Sequence, residues 1–415
     1  MNHSMHKRLA AATMGIAAGL VLAGCSAPSD APEGDVTLRM LVNISPVLTV
    51  EYYESLVAPF EEANPGIDVE IEVPSGENVQ TTLQQELASG DIPDVVASQL
   101  NAVVAPQLAV FPEEDWVLDT PLVEENTIDG NIVSVATGQQ AQSLVFYNKA
   151  AFDAAGINEI PTSVDDFTAA LVSLKEAGYV PLQTSGEWTT GPQFSIAASP
   201  DLLGDDPDWF AQRNAGGVSF VGSAWGEYLE HYQGWIVDGL VLADALGVKY
   251  PDGIAAFASG EVGTYIMPNF VIPTIEEAAP SFEVGVFSTP TLDGSTAKQV
   301  AVVAQPYSVM KDSKHQEAAM SLVEYLVSDV EAIRTALASE SNFRQGVSYE
   351  ASPLTEAVSQ ILDASPGSVV GTTTPDTPVG FADELNTQVQ SLYTGGSAAG
   401  VMEYLDTWWD ANATQ

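Results

Sequence analysis

Short apolar or alternating runs take turns along the chain with longer runs of helical spacing. Val36 to Val42 is a mostly apolar run that predicts a strand. Every second residue from Ile67 to Val73 is apolar and the residues between them are acidic, which is the period of a half-buried strand. Between these runs we predict a helix from about Val50 to Ala63, ended by Asn64-Pro65-Gly66.

The same two periods continue through the rest of the chain. Apolar residues recur every four positions from Val79 until Gly90, and Ser163 with Asp166 begins a further helix as a cap. Further strands are predicted at 93–96, 144–147, 262–267 and 283–287, and a long helix around 319–326. This alternation predicts an α/β fold, with sheets covered by helices and ligand sites at the carboxyl ends of strands.

The N-terminus has the pattern of a secretory signal. Lys7 and Arg8 precede an uncharged run from Leu9 to Gly24, which is too short for a membrane span and ends in small residues. Leu22-Ala23-Gly24-Cys25 resembles the bacterial lipoprotein processing box, which implies a diacylglycerol on the Cys25 sulfur after removal of residues 1–24. The alternative is an ordinary signal peptide with an incidental cysteine. Cys25 is the only cysteine, so no disulfide forms within one chain.

The composition beyond the signal is strongly acidic. Residues 25–34 are small, polar and Pro-containing, which predicts a flexible tether. The chain from Cys25 keeps 10 basic and 56 acidic residues, hence a formal charge of 10 − 56 = −46. This charge argues against nucleic-acid binding. Either the ligand is cationic or the acids form a solvated surface that keeps the protein soluble and monomeric, and we favour the surface.

Signatures of catalysis and of cofactor binding are missing from the sequence. His231 and His315 stand alone, without the partner of a helical zinc site, and neither G-x-S-x-G nor G-x-x-x-x-G-K-[ST] occurs. We therefore expect no cofactor and no metal. A pair of carboxylates of the glycosidase type stays open, because 56 acids offer many pairs whose separation the sequence does not define.

Six segments in order resemble the extracytoplasmic sugar-binding lipoproteins of ABC importers, typified by maltose- and oligosaccharide-binding proteins. They are APFEEANPGIDVEIE, LASGDIPDVVAS, SLVFYNKAAFDAAGI, FASGEVGTYIMPNFVIP, VGVFSTP and MKDSKHQEAAMSLVEYLVS. The resemblance implies two α/β lobes joined by hinge strands, with a ligand cleft between them and a permease as partner. We expect the first lobe at 35–143 and 290–345, and the second at 144–289 and 346–415.

Sugar recognition requires flat aromatic faces for the C–H patches of the ring, with amides, carboxylates or arginine for the hydroxyls. In the first lobe, polar residues follow or precede strands, where such loops are expected: Asn43, Gln99, Asn101 and Gln142. Turn formation is an equally good explanation for any one of them. Gln305 occupies a loop where relatives often have glycines, and Arg344 lies near a predicted lobe crossing, where it either binds the ligand or pairs with a surface acid.

In the second lobe, Glu187-Trp188 lies in a Gly, Thr and Ser loop, which makes Trp188 a candidate stacking platform. The segment TYIMPNF is the sharpest local match, because relatives often have a stacking tryptophan where this chain has Asn269-Phe270. Tyr265 points either into the same cleft or into the core. Trp235, Trp408 and Trp409 lie in helical segments and are expected to pack rather than to bind.

The sequence thus predicts a lipid-anchored, extracytoplasmic binding protein that delivers a carbohydrate, in particular an oligosaccharide, to an ABC permease and catalyses no reaction. Two alternatives remain. One is a cationic or amino-sugar ligand, which requires acids such as Glu187 to line the cleft without basic partners. The other is a secreted carbohydrate hydrolase.

Overall fold

A computed structural model describes residues 36–76, 78–100, 103–371 and 376–413. The predicted signal, Cys25, the tether and Asn101 lie outside these residues. The described strands are β1 (Val36–Val42), β2 (Ile67–Glu72), β3 (Val95–Ala97), β4 (Thr127–Ile128), β5 (Asn131–Ile132), β6 (Val135–Ala141), β7 (Leu144–Asn148), β8 (Val180–Gln183), β9 (Val262–Ile266), β10 (Val284–Ser288), β11 (Gln299–Val309) and β12 (Ser368–Val370).

The α-helices cover the sheets. They are α1 (Val50–Ala63), α2 (Val79–Ser89), α3 (Asp115–Leu118), α4 (Lys149–Ala154), α5 (Val164–Glu176), α6 (Thr190–Leu203), α7 (Trp209–Asn214), α8 (Ala224–Val237), α9 (Tyr250–Ala258), α10 (Ile272–Glu277), α11 (Gln316–Ser328), α12 (Val330–Ser339), α13 (Pro353–Ala364), α14 (Phe381–Ser391) and α15 (Ala398–Asn412). Within the described segments, no helix combines the length and the apolar character that a membrane span requires.

Local signals in the sequence explain several boundaries. The hydroxyl of Thr49 accepts a hydrogen bond from the Tyr52 backbone N–H, which caps α1. Ser163 caps α5 in the same way, as the sequence predicted. Gly90 ends α2 at φ +76°, a conformation that costs glycine little because it has no Cβ. The predicted strand Val36–Val42 and helix Val50–Ala63 are confirmed.

Two separate sheets organise the molecule. The first has the order β12-β11-β3-β1-β2, with β6 also paired to β11. Strand β1 runs parallel to both β2 and β3, and β11 runs antiparallel to β3 and β6. The second sheet has the order β10-β7-β9-β8. We call each sheet with its packed helices the first and the second lobe.

Each lobe has its own apolar core. In the first, Leu38 and Met40 of β1 pack with α1 and α11 residues such as Phe60 and Leu322. In the second, one cluster includes Trp235 and Trp409, which are buried as expected. A separate cluster on the second lobe joins β7 and β9 to α9, α10 and α13.

Up to α13, the described chain passes between the lobes in three places. Residues 142–143 connect β6 to β7, residues 289–298 connect β10 to β11, and residues 340–352 connect α12 to α13. Strand β12 pairs with β11 in the first sheet, although it lies in the range 346–415 that the sequence assigns to the second lobe. The lobe boundaries themselves stay a prediction.

Candidate ligand-binding site

The carboxyl edge of the first sheet carries two of the predicted residues. Asn43 and Gln99 follow β1 and β3, which are parallel neighbours, and both side chains are exposed. The backbone of Asn43 is held firmly, because its N–H donates to the Ala97 carbonyl (3.1 Å) and its carbonyl accepts from the Tyr53 hydroxyl (2.9 Å). The two amide side chains are therefore free to meet a ligand at this edge.

Gln142 lies in a crossing between the lobes and is almost fully buried. Its Nε2 donates to Oε1 of Gln140 (2.9 Å), and its backbone N–H donates to the Val300 carbonyl (2.8 Å). These bonds hold the crossing against β11 in this conformation.

Gln305 interrupts the regular part of β11 with a φ of +49°, which is unusual for a residue with a Cβ. Its Oε1 accepts from the Tyr52 hydroxyl (2.7 Å), and its Nε2 donates to the Ala336 carbonyl and the Ser339 hydroxyl (both 2.9 Å). The side chain therefore ties the first turn of α1 to the end of α12. Backbone strain of this kind persists only where the surroundings over-determine it.

Arg344 is half-buried, and its guanidinium binds backbone groups of the first lobe. Its guanidinium donates to the carbonyls of Val327 (2.8 Å), Thr137 (3.3 Å) and Asp119 (3.3 Å). Burial lowers the pKa of this guanidinium. Its hydrogen-bonding partners are backbone carbonyls rather than the surface acids considered from the sequence.

Three aromatic rings of the second lobe form a strip, which we call the aromatic strip: Trp188, Tyr250 and Phe270. The ring centroids of Trp188 and Tyr250 are 5.0 Å apart, and those of Tyr250 and Phe270 are 6.5 Å apart. Trp188 is 43% exposed, which is unusual for an indole in a rigid setting. Phe270 is partly buried against the core of α9 and α10.

The turn that presents Trp188 is tightly built. Glu187 has a φ of +54°, its carboxylate accepts from the Tyr250 backbone N–H (3.1 Å), and its carbonyl accepts from Asn386 (2.6 Å) and Gln390 (2.8 Å). A Cβ on Gly186 would lie 2.4 Å from the Leu246 carbonyl oxygen, so only glycine fits there. These constraints keep the indole on the outside. Through its bond to Tyr250, Glu187 therefore holds the aromatic strip together in this conformation.

Asn269, predicted to contact the ligand, and Tyr265, predicted to point either into the cleft or into the core, are both fully buried. Tyr265 packs in the core against Phe257, with ring centroids 6.0 Å apart. Oδ1 of Asn269 accepts a hydrogen bond from the Ala141 backbone N–H (2.6 Å). Its Nδ2 donates to oxygens of residues 340–342 at 2.8 to 3.0 Å. Asn269 therefore joins the second lobe to the end of β6 and to the crossing at residues 340–352 instead of reaching open space.

Sequence reasoning missed three residues that the fold brings together: Tyr52, Tyr250 and Glu340. Glu340 ends α12 and is only 8% exposed, and its Oε2 accepts from Asn342 (3.2 Å) and from Gln305 (3.4 Å). Burial raises the pKa of this carboxyl group. We call Glu340, Gln305 and Tyr52 the carboxylate cluster.

The carboxylate cluster and the aromatic strip are joined through Asn269, the residue before Phe270, because its Nδ2 donates to the backbone carbonyl of Glu340 (3.0 Å). Burial, and in addition the charge of Glu340, raise the pKa of the Tyr250 hydroxyl, and both also contribute to the raised pKa of Tyr52. Tyr52 could have been noticed from the sequence, because it lies in the first turn of α1, the helix that follows β1. Nothing in the local sequence marks Glu340, since its position depends on how α12 packs.

The site as a whole combines flat apolar faces with hydrogen-bonding groups, which is the chemistry of a polyhydroxylated ligand. Across the described ranges, the structure contains no group of three or more His, Cys, Asp and Glu side chains arranged to hold a metal ion.

Comparison with known proteins finds matches both in sequence and in fold. The family model described as bacterial extracellular solute-binding protein matches residues 47–333. A binding protein of Brucella abortus is 24% identical over 75% of this chain and 76% of its own length. The multiple sugar-binding protein of Streptococcus mutans is 21% identical over 67% of this chain and 71% of its length.

Among solved structures, a chitin oligosaccharide binding protein superposes with a TM-score of 0.78 at 20% identity, covering 91% of this chain and 99% of that one. This likeness confirms the predicted two-lobe α/β fold.

Proposed function

The chain belongs to the bacterial extracellular solute-binding proteins, and from this premise we propose that it binds a carbohydrate outside the cytoplasm and delivers it to an ABC permease. The family is one of binding proteins, and its members act outside the cell. The carbohydrate, the permease and the absence of a catalysed reaction are parts of the proposal.

The aromatic strip is the observation that carries the carbohydrate assignment. An indole left 43% exposed beside Tyr250, on a turn braced by Glu187, offers a preorganised flat face. Such faces pack against the C–H patches of sugar rings, while Asn43 and Gln99 across the cleft offer amides for hydroxyls. Preorganisation matters because side chains that are already ordered lose less entropy on binding.

The relatives support an oligosaccharide rather than a monosaccharide. One related sequence is named a multiple sugar-binding protein, and a protein of the same fold is named a chitin oligosaccharide binding protein. Three rings spaced 5.0 and 6.5 Å apart form a strip that extends beyond a single aromatic platform.

The proposal includes the location and assembly of the protein. Cys25 carries the lipid anchor, residues 25–34 form the tether, and the lobes divide as 35–143 with 290–345 and 144–289 with 346–415. The protein acts as a monomer, with the permease as its partner. A secreted hydrolase is the competing function, and incubation with a glycan panel separates the two, because a binder returns intact sugar in stoichiometric amount whereas an enzyme returns products.

Truncation of the strip tests the site. We expect Trp188→Ala and Phe270→Ala to weaken sugar binding by about 1 to 3 kcal/mol, which is about tenfold or more in affinity. Isothermal titration calorimetry, after a thermal-shift screen against neutral oligosaccharides, measures this on protein with an unchanged far-UV spectrum. Tyr404→Ala is the matched control, because Tyr404 is 44% exposed on α15, outside the site.

Phe270→Trp sharpens the same test, because an open cleft accepts the larger ring whereas a filled core would be overpacked. Wild-type affinity in both alanine variants would reject the assignment of the strip.

A further inference from the structure

The buried carboxylate of Glu340 lacks a cationic partner. In the part of the chain that the structure describes, it pairs with no Lys, Arg or His, and its hydrogen-bonding partners are the amides of Asn342 and Gln305, both on Oε2. The nearby Arg344 is occupied by backbone carbonyls. A carboxylate removed from water is costly unless donors satisfy it, and two amides leave much of its acceptor capacity unused.

Its position points to a ligand. Glu340 ends α12 at a crossing between the lobes, its neighbour Gln305 is strained at φ +49°, and its backbone carbonyl accepts from Nδ2 of Asn269 (3.0 Å), the residue before Phe270 of the aromatic strip. The unused acceptor capacity is therefore next to the aromatic strip, where a bound sugar would lie.

Resting on the proposed carbohydrate function, we propose that Glu340 is a specificity-determining residue of the cleft: it accepts hydrogen bonds from a donor group of the sugar and excludes acidic sugars. The donor group is a pair of hydroxyls or an ammonium group, since both can donate two hydrogen bonds to the carboxylate. A uronate or a sugar phosphate would instead place a second negative charge in a poorly solvated site.

The ionised form of Glu340 is the one that accepts these bonds. Burial raises the pKa of its carboxyl group, so acid protonates it sooner than an exposed glutamate. The titratable groups that face it are Tyr52 and Tyr53 of α1, Tyr307 of β11 and Tyr250 of α9, and burial raises the pKa of each, which keeps all four neutral. Sugar affinity is therefore highest at high pH and falls as pH drops through the pKa of Glu340.

The test compares the wild type with Glu340→Gln, which keeps the shape and removes the charge. Glu403→Gln, at an exposed position of α15, is the matched control. Calorimetry uses raffinose, maltotriose and chitotriose as neutral probes, the deacetylated glucosamine trimer as the cationic probe and trigalacturonic acid as the acidic probe.

We expect Glu340→Gln to weaken the tightest neutral probe by about 10- to 100-fold, the size of a charge-assisted hydrogen bond, and Glu403→Gln to leave it unchanged. We also expect the wild type to bind trigalacturonic acid at least about 100-fold more weakly than that neutral probe, because of charge repulsion. In Glu340→Gln, this ratio of affinities should fall at least about tenfold. If the glucosamine trimer binds more tightly than chitotriose, the donor is the ammonium group; otherwise it is a hydroxyl pair.

Different results would overturn the carbohydrate function and the role of Glu340. If the wild type binds no member of the panel, the carbohydrate function is overturned and this inference with it. If the wild type binds a neutral probe and Glu340→Gln binds it equally well, only the role of Glu340 is overturned. If Glu340→Gln fails to fold, the pH dependence of the wild type is the test. Affinity that stays constant from pH 9 down to about pH 4, below the ordinary pKa of glutamate, contradicts the role, and a loss of affinity within this range supports it.

Discussion

Replacing Asn269 by alanine removes the side chain that joins the second lobe to the end of β6 and to the crossing at residues 340–352. Its Oδ1 accepts from the buried N–H of Ala141 (2.6 Å), and its Nδ2 contacts the carbonyls of Glu340 and Ser341 and Oδ1 of Asn342. Asn269 is fully buried, so water does not replace these bonds without a rearrangement.

The cost follows from these contacts. A buried polar group left without a partner costs about 1 to 3 kcal/mol, and the Ala141 N–H has no second way to be satisfied. The three oxygens lose a donor but keep other lone pairs, so each contributes less. We expect Asn269→Ala to lower the free energy of unfolding by about 3 to 5 kcal/mol, a loss at the upper end for single substitutions.

Urea unfolding in the absence of sugar, followed by tryptophan fluorescence, measures this change. Asn158→Ala is the matched control, because its exposed amide contacts only the Gly156 carbonyl, and we expect a change within about 0.5 kcal/mol. If Asn269 were chiefly a ligand contact, its alanine variant would keep its stability and lose sugar affinity. A loss of less than about 1 kcal/mol would refute the bracing role.

Three further predictions concern charge and location. The carboxyl of Asp201 has its pKa raised to about 6, first by burial and then by Asp293 and Glu227, so its contribution to stability is present below about pH 4 and is lost as pH rises through about 6. Asp201→Asn should therefore be more stable than the wild type by about 1 to 2 kcal/mol at pH 8 and equal to it near pH 4, as urea unfolding at both pH values would show; no difference at pH 8 would contradict this. The excess of acids, 56 against 10 basic residues from Cys25 onward, should make the melting temperature of the protein without residues 1–24 rise with NaCl, because salt screens exposed charges over roughly 10 Å at 0.1 M; a flat response would mean that the acids are compensated locally. Cys25→Ser should release the protein from the membrane fraction while the domain still folds, and unchanged tight membrane association would exclude the lipid anchor.

Local patterns were enough to predict much of the fold. The strand Val36–Val42, the helix Val50–Ala63 and the end of α2 at Gly90 follow from apolar period and helix-stop signals, which act between residues close in the chain. The exposure of Trp188 was also predictable, because Gly, Thr and Ser neighbours cannot bury an indole.

The roles of the polar residues were not predictable in this way, because they depend on contacts between distant parts of the chain. Asn269 stands in a segment typical of a ligand contact, yet its partners at Ala141 and at residues 340–342 are more than seventy positions away. Glu340 is one of 56 acids, and nothing in the sequence marks it as one that is buried and hydrogen-bonded to Gln305. Period and composition report which residues avoid water, whereas the pairing of buried polar groups arises only when the two lobes pack, so it is encoded in no single stretch of sequence.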